Sequence, residues 1–228
     1  MTTILHIPKT AGTNIKNSLV DNRNAKIHMA NSHSVTLKSV AGDCVFFIRD
    51  PLERFCSGYW ERKTNKLRRE LNSKAEIRYR RSGYRDYTPY ELAVFSQTST
   101  PDEYITKLRT DPEWLKENLN FAFMGIYVTT ASLVNWLGTL AEYKTLEHKV
   151  SHVAMVSDVA PFLREKFHLD LHTDPFLARS RKQFSIPQSY EVSEENSGWF
   201  KDHFKAEDYM LIDYIKQQPY FYNPQARK

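Results

Sequence analysis

The chain has little sulfur chemistry to offer. Cys44 and Cys56 are the only cysteines among 228 residues. Two are too few for a disulfide framework or a cysteine zinc site. Both lie at or beside apolar positions, which reads as buried thiols in a reducing compartment. No run of about 18 apolar residues occurs, so no membrane span is expected. No basic segment followed by an apolar stretch precedes the first strand signal, so no secretory leader is expected and the expected location is cytoplasmic. The Walker A pattern Gly-x-x-x-x-Gly-Lys-Ser/Thr is missing, which counts against a nucleotide kinase. No zinc-finger or RNA-binding signature is found, and no convincing repeat, low-complexity tract or linker. The length suits one substantial core, and the whole chain, 1–228, reads as one domain.

What is present begins at the start. Ile4-Leu5-His6-Ile7 is a short apolar run, and Pro8-Lys9-Thr10-Ala11-Gly12-Thr13-Asn14 follows as a turn. Ile15, Leu19 and Val20 then take helical spacing, giving strand, loop and helix. Unpaired N–H groups at such a helix start can hold a phosphate. Gly12 would let a backbone approach closely, Lys9 brings a mobile cation, and Thr10, Thr13 and Asn14 bring short polar groups. The plain alternative is an ordinary turn with Thr13 as a helix cap.

A second such unit follows. Cys44-Val45-Phe46-Phe47-Ile48 is continuously apolar, as in a parallel strand covered on both faces. Arg49-Asp50-Pro51 ends it, and a helix is predicted with Asp50 as cap and Pro51 at its first position. Leu52, Phe55, Cys56 and Tyr59 share one helical face. Two strand-loop-helix units predict an α/β fold with a central parallel sheet flanked by helices. Ligands of open parallel sheets bind at the carboxyl ends of the strands. If the two strands are neighbours, the loops around Lys9 and Arg49 open on one edge.

Further elements are expected along the chain. Ile27-His28-Met29 reads as a short strand, and Ser32 or Ser34 as the cap of a turn through Leu37. Pro89 to Val94 and Pro101 to Leu108 read as helices, the second with a capping box of Thr100 and Glu103. Asp111-Pro112-Glu113 starts a further turn. Phe121 to Val128 reads as a strand, Ala131 to Tyr143 as one helix, His152 to Val156 as a strand, and Val159 to Phe167 and Glu207 to Gln217 as helices. Arg54 could pair with Glu53, Glu61 or another strand end.

Charge is uneven. The net charge of +5 favours anionic partners. Arg62 to Arg85 holds ten Lys or Arg and two Glu. This insertion, at about 62–87, is either a solvated helix or mobile segment, or a basic rim for an acidic acceptor. Tyr79, Tyr84 and Tyr87 within it could stack a sugar or a base. A second basic group, Arg179-Ser180-Arg181-Lys182, lies in a polar stretch from Asp174 to Ser189.

Together these residues resemble a known family. His6-Ile7-Pro8-Lys9-Thr10-Ala11-Gly12-Thr13-Asn14 is similar to the 5′-phosphosulfate loop of sulfotransferases that use 3′-phosphoadenosine 5′-phosphosulfate (PAPS). Phe47-Ile48-Arg49-Asp50-Pro51-Leu52-Glu53-Arg54-Phe55-Cys56-Ser57-Gly58-Tyr59 resembles their 3′-phosphate motif. The pattern is most similar to the carbohydrate branch that includes heparan 2-O-sulfotransferases, and it resembles a soluble bacterial enzyme or a trimmed catalytic domain. The resemblance implies a P-loop-like sulfotransferase fold, PAPS as donor and adenosine 3′,5′-bisphosphate (PAP) as product. It implies that Lys9 contacts the sulfuryl group and that Thr10, Ala11, Gly12, Thr13 and Asn14 hold the 5′-phosphate. Arg49 and Ser57 would grip the 3′-phosphate, and Arg181 and Lys182 would close over the cofactor. No metal is expected.

The acceptor hydroxyl must lose a proton, which suits a neutral histidine. Related carbohydrate enzymes place one shortly before the second motif, and His33 lies there. His28 is the competitor, and His6 reads as an orienting or packing residue. The expected partner is a small-molecule or glycan acceptor, an anionic one included, and not nucleic acid. The alternatives are sulfation of a small natural product or a peptide tyrosine, a silent PAP-binding or polyanion-binding protein, and a P-loop-like nucleotide kinase.

Overall fold

The computed structural model describes residues 2–21, 27–30, 33–71, 89–120, 131–172 and 190–227. Its elements in chain order open with β1 (Thr2–Leu5), α1 (Gly12–Asp21), β2 (Ile27–Met29), β3 (Cys44–Ile48) and α2 (Pro51–Leu71). Next come α3 (Pro89–Gln97), α4 (Pro101–Thr110), α5 (Pro112–Asn120), α6 (Val134–Leu137) and α7 (Leu140–Leu146). The chain ends with β4 (Val150–Met155), α8 (Val159–Phe167), α9 (Glu194–Trp199) and α10 (Ala206–Lys216). The strand expected over Phe121 to Val128 lies outside the described residues. So do residues 72–87 of the basic insertion, whose first part continues α2, and Arg181 and Lys182.

The residues form two compact units. One comprises Met1–Pro51, Ser132–Ala178 and Lys205–Lys228, and the other Leu52–Ala131 and Arg179–Phe204. The first unit holds a four-stranded sheet in the order β2-β1-β3-β4, with every pair parallel. Helices flank this sheet, so the α/β expectation stands.

The pleat explains the continuous apolar run of β3. Val45 and Phe47 join Ile4, Ala154, Ile15 of α1 and Phe162 and Leu163 of α8 in one buried cluster. The alternate residue Phe46 meets the Tyr143 ring edge-on, with centroids 6.4 Å apart. All five β3 residues are buried, as two covered faces require. Both cysteines are buried free thiols, and burial pushes the Cys44 thiol up to about 12. The outer edge of β4 is also paired. Val153 N–H donates to Tyr220 O at 3.0 Å, and Tyr222 N–H to Val153 O at 2.7 Å. The carboxyl-terminal segment thus covers an edge that would otherwise be a template for other chains.

The second unit is helical. Phe55 of α2 stacks on Tyr104 of α4 at 5.4 Å and meets Phe200 edge-on at 5.2 Å. Tyr59 donates its hydroxyl to Thr98 O at 2.8 Å, capping the end of α3. Asn196 of α9 donates to Asp102 Oδ1 at 2.7 Å and to Thr106 Oγ1 at 2.8 Å, tying α9 to α4. Arg54 is buried and donates to the Ala131 carbonyl. A backbone carbonyl is thus among its partners.

Three expectations need correction. The single helix over Ala131 to Tyr143 is two helices, α6 and α7. Gly138 breaks it with φ at +84°, and Thr139 starts the next helix by accepting from Glu142 N–H while Glu142 accepts from Thr139 N–H. The turn at Leu37–Ser39 takes Thr36 as its cap, not Ser32 or Ser34. Thr100 does accept from Glu103 N–H at 3.1 Å, but the Glu103 carboxylate accepts from Ser99 N–H at 2.6 Å, one residue before the cap.

Candidate functional site

The strand order reverses direction at β1. From β1 the chain passes to β2 on one side, and β3 then lies on the other side of β1. At such a reversal the loops leaving the strands diverge and open a ligand-binding gap at the carboxyl edge. The loop after β1 and the segment Arg49–Asp50 after β3 both leave this edge within the first unit.

The β1 loop is tightly wound. Lys9 and Ala11 hold φ at +67° and +63°, on either side of Thr10. Alternation of this kind turns successive N–H groups toward one side and makes a concavity for an anion. The buried Thr10 donates its hydroxyl to Ile7 O at 2.7 Å. Its side-chain proton therefore holds the loop together, and its N–H is what it can offer a ligand. Ile15 N–H donates to the Ala11 carbonyl at 3.1 Å, closing the opening turn of α1. The N–H groups of Gly12 and Thr13 precede that bonded turn and carry the positive end of the helix dipole. No acidic residue occupies the first turn of α1, so nothing there repels an anion. Thr13 sits inside the helix rather than capping it.

Histidines meet at the same edge. His33 Nδ1 lies 3.2 Å from the carbonyl oxygen of His6, and the two rings are 4.0 Å apart at 47°. The carbonyl can only accept, so a neutral His33 carries its proton on Nδ1 and leaves Nε2 as the basic atom. Trp136 of α6 donates its indole N–H to His33 O at 2.6 Å, which pins the segment from behind. His6 is held neutral. Burial, then His33, then Lys16 push its pKa down to about 4, so the ring is neutral at pH 7. His28 lies elsewhere. It pairs in register with Thr3, well below the edge, and its Nε2 is 3.3 Å from Thr3 Oγ1.

A family model described as the sulfotransferase family matches residues 3–121. The chain belongs to the sulfotransferase family. No curated protein and no solved structure matches it.

The matched span of this sulfotransferase domain includes both the β1 loop and the Arg49 segment. Arg49 is half-buried at the mouth of β3. The adjacent Asp50 accepts a long hydrogen bond from Tyr209 of α10 at 3.4 Å. Ser57 lies buried on α2 in the second unit, where the motif alone gives it a role. Among the described residues, no three His, Cys, Asp or Glu side chains gather as a metal site would require. Also among them, no helix is long and apolar enough to cross a membrane. Sequence reasoning missed Trp136, because an aromatic on an apolar helical stripe reads as core. It undervalued His6, whose contacts come from residues distant in sequence.

Proposed function

We propose that this domain transfers the sulfuryl group of PAPS to an acceptor hydroxyl of a carbohydrate. One observation carries the reading. The wound loop with Lys9 and the Arg49 segment leave adjacent parallel strands at a topological reversal, with His33 bonded to His6 at the end of β1. An anion nest, a guanidinium and a basic nitrogen thus share one edge, which suits a donor with phosphates at both ends.

PAPS would supply an activated sulfuryl group, whose bond to the 5′-phosphate breaks as the acceptor oxygen bonds to sulfur. The N–H groups of Thr10, Ala11, Gly12, Thr13 and Asn14 hold the 5′-phosphate end. Arg49 makes a charge-assisted contact to the 3′-phosphate, and a bidentate fork gives it register. Lys9 offsets the negative charge that gathers on the leaving phosphate. His33 Nε2 takes the acceptor proton, and the His6 carbonyl steadies the imidazolium through Nδ1–H. Positioning and charge carry such transfers, as they do for phosphoryl groups.

The test is calorimetric binding of PAP to the folded protein, followed by transfer from labelled PAPS to a panel of glycans, small alcohols and tyrosine peptides. Micromolar PAP binding with turnover on a glycan is expected. A folded protein that ignores PAP, or prefers ATP with Mg²⁺, overturns the reading. Binding without turnover on any acceptor leaves a silent PAP-binding domain in its place.

A further inference from the structure

Gly12 stands in the anion loop, and the obvious reason for a glycine there is room for a phosphate or freedom of the backbone. The structure gives a different reason. Gly12 is the first residue of α1 and is not among the residues with positive φ, a conformation that falls instead on Lys9 and Ala11. A Cβ at Gly12 would meet the His6 imidazole, with Nε2 at 1.8 Å and Cδ2 at 2.4 Å. The space beside Gly12 is already filled by a side chain of the protein.

That same ring lies 4.0 Å from the ring of His33, and the backbone oxygen of its residue accepts from His33 Nδ1 at 3.2 Å. One residue therefore touches both the loop and the candidate base. We propose that His6 is a positioning residue, an imidazole wedge that sets the first turn of α1 through Gly12 and holds the His33 ring beside it. This rests on the sulfotransferase reading above and extends it to a residue outside both phosphate clamps.

The chemistry of the wedge fits. Shape matters here more than charge, because His6 is neutral at pH 7, with His33 and Lys16 opposing its protonation alongside burial. A flat, uncharged ring can press against a backbone and a second imidazole with no counter-ion. An alanine would leave a gap in both places. A charged side chain would add a cation beside the base.

The test is a cycle of His6→Ala, Gly12→Ala and the double variant, read by Tm, PAP affinity and steady-state transfer. Gly12→Ala should lower Tm and weaken PAP binding at least tenfold, because its Cβ displaces His6 and the loop with it. In the double variant the Cβ has room. Tm should rise above that of Gly12→Ala, because the clash with the imidazole is gone, and at least fivefold of the lost affinity should return. His6→Ala alone should lower kcat at least tenfold while the KM for PAPS stays within threefold, a split that general loosening of the loop would not give. A double variant no better than Gly12→Ala in both Tm and affinity overturns the proposal, as does His6→Ala with wild-type kcat. Should the wild-type protein bind no PAP, the sulfotransferase reading fails, and the Tm cycle still decides whether His6 and Gly12 are coupled.

Discussion

The Nδ1 of His33 and the carbonyl oxygen of His6, 27 positions apart in the chain, lie 3.2 Å from each other. The contact joins the end of β1 to the turn after β2, and it fixes which imidazole nitrogen is basic. His33→Ala removes that nitrogen and leaves the β1 loop in place. Transfer from PAPS should fall about 10²–10⁴-fold in kcat, the usual range for a lost general base. PAP affinity should stay within threefold. Wild-type turnover in His33→Ala would move the role to another group, with His28→Ala as the next measurement.

Trp136 holds the other side of the same residue. Trp136→Phe keeps an aromatic ring in the buried site and deletes the N–H that donates to His33 O at 2.6 Å. The bond to the exposed His33 is then lost, at a cost of about 0.5–1.5 kcal/mol in urea unfolding. Since the indole anchors the His33 backbone, kcat should drop severalfold with PAP affinity unchanged. A stable variant with full kcat would make the indole a packing group only.

How much of this could be read from the sequence varies by region, for physical reasons. The β3 run was legible because both faces are covered, so every residue is apolar and no periodicity is needed to see it. The start of α2 was legible because Asp-Pro is a local signal. The break between α6 and α7 was also written in the chain, in Gly138-Thr139-x-x-Glu142. An apolar stripe from Leu133 to Leu140 masked it, since a helical period survives a one-residue interruption. The β1–β3 neighbourhood was conditional on strand order, which is a long-range property. The His6–Gly12 contact follows from the winding of a loop, and no spacing rule encodes it.

Ala11 offers a test of the winding itself. Its φ of +63° is a left-handed value, which costs an alanine about 1 kcal/mol and a β-branched residue more. Ala11→Val should lower stability by about 1–2 kcal/mol and weaken PAP binding at least tenfold. Ala11→Gly relieves the steric cost and adds unfolded-state freedom, so its stability should change by about 0.5 kcal/mol or less. Equal PAP affinity in the wild-type protein and Ala11→Val would mean that the loop's conformation is not what holds the phosphate.

Acid should expose the neutral state of His6. Its folded pKa is lowered to about 4, with burial as the main cause, against about 6.5 in an unfolded chain. Between these values the unfolded chain binds a proton on this group and the folded chain does not. The unfolded state therefore gains as pH falls, and stability contributed by a neutral His6 is present above about pH 6.5 and lost progressively toward pH 4. Carboxylates respond in an overlapping range, so the measurement must be a difference. Urea midpoints of the wild-type protein and of His6→Gln should be compared from pH 7.5 to pH 4. The gap between the two curves should change across the window from 6.5 to 4, with the wild type losing more stability than the variant. Parallel curves would mean that His6 titrates alike in the folded and unfolded chain, and that the ring is solvated rather than wedged between Gly12 and His33.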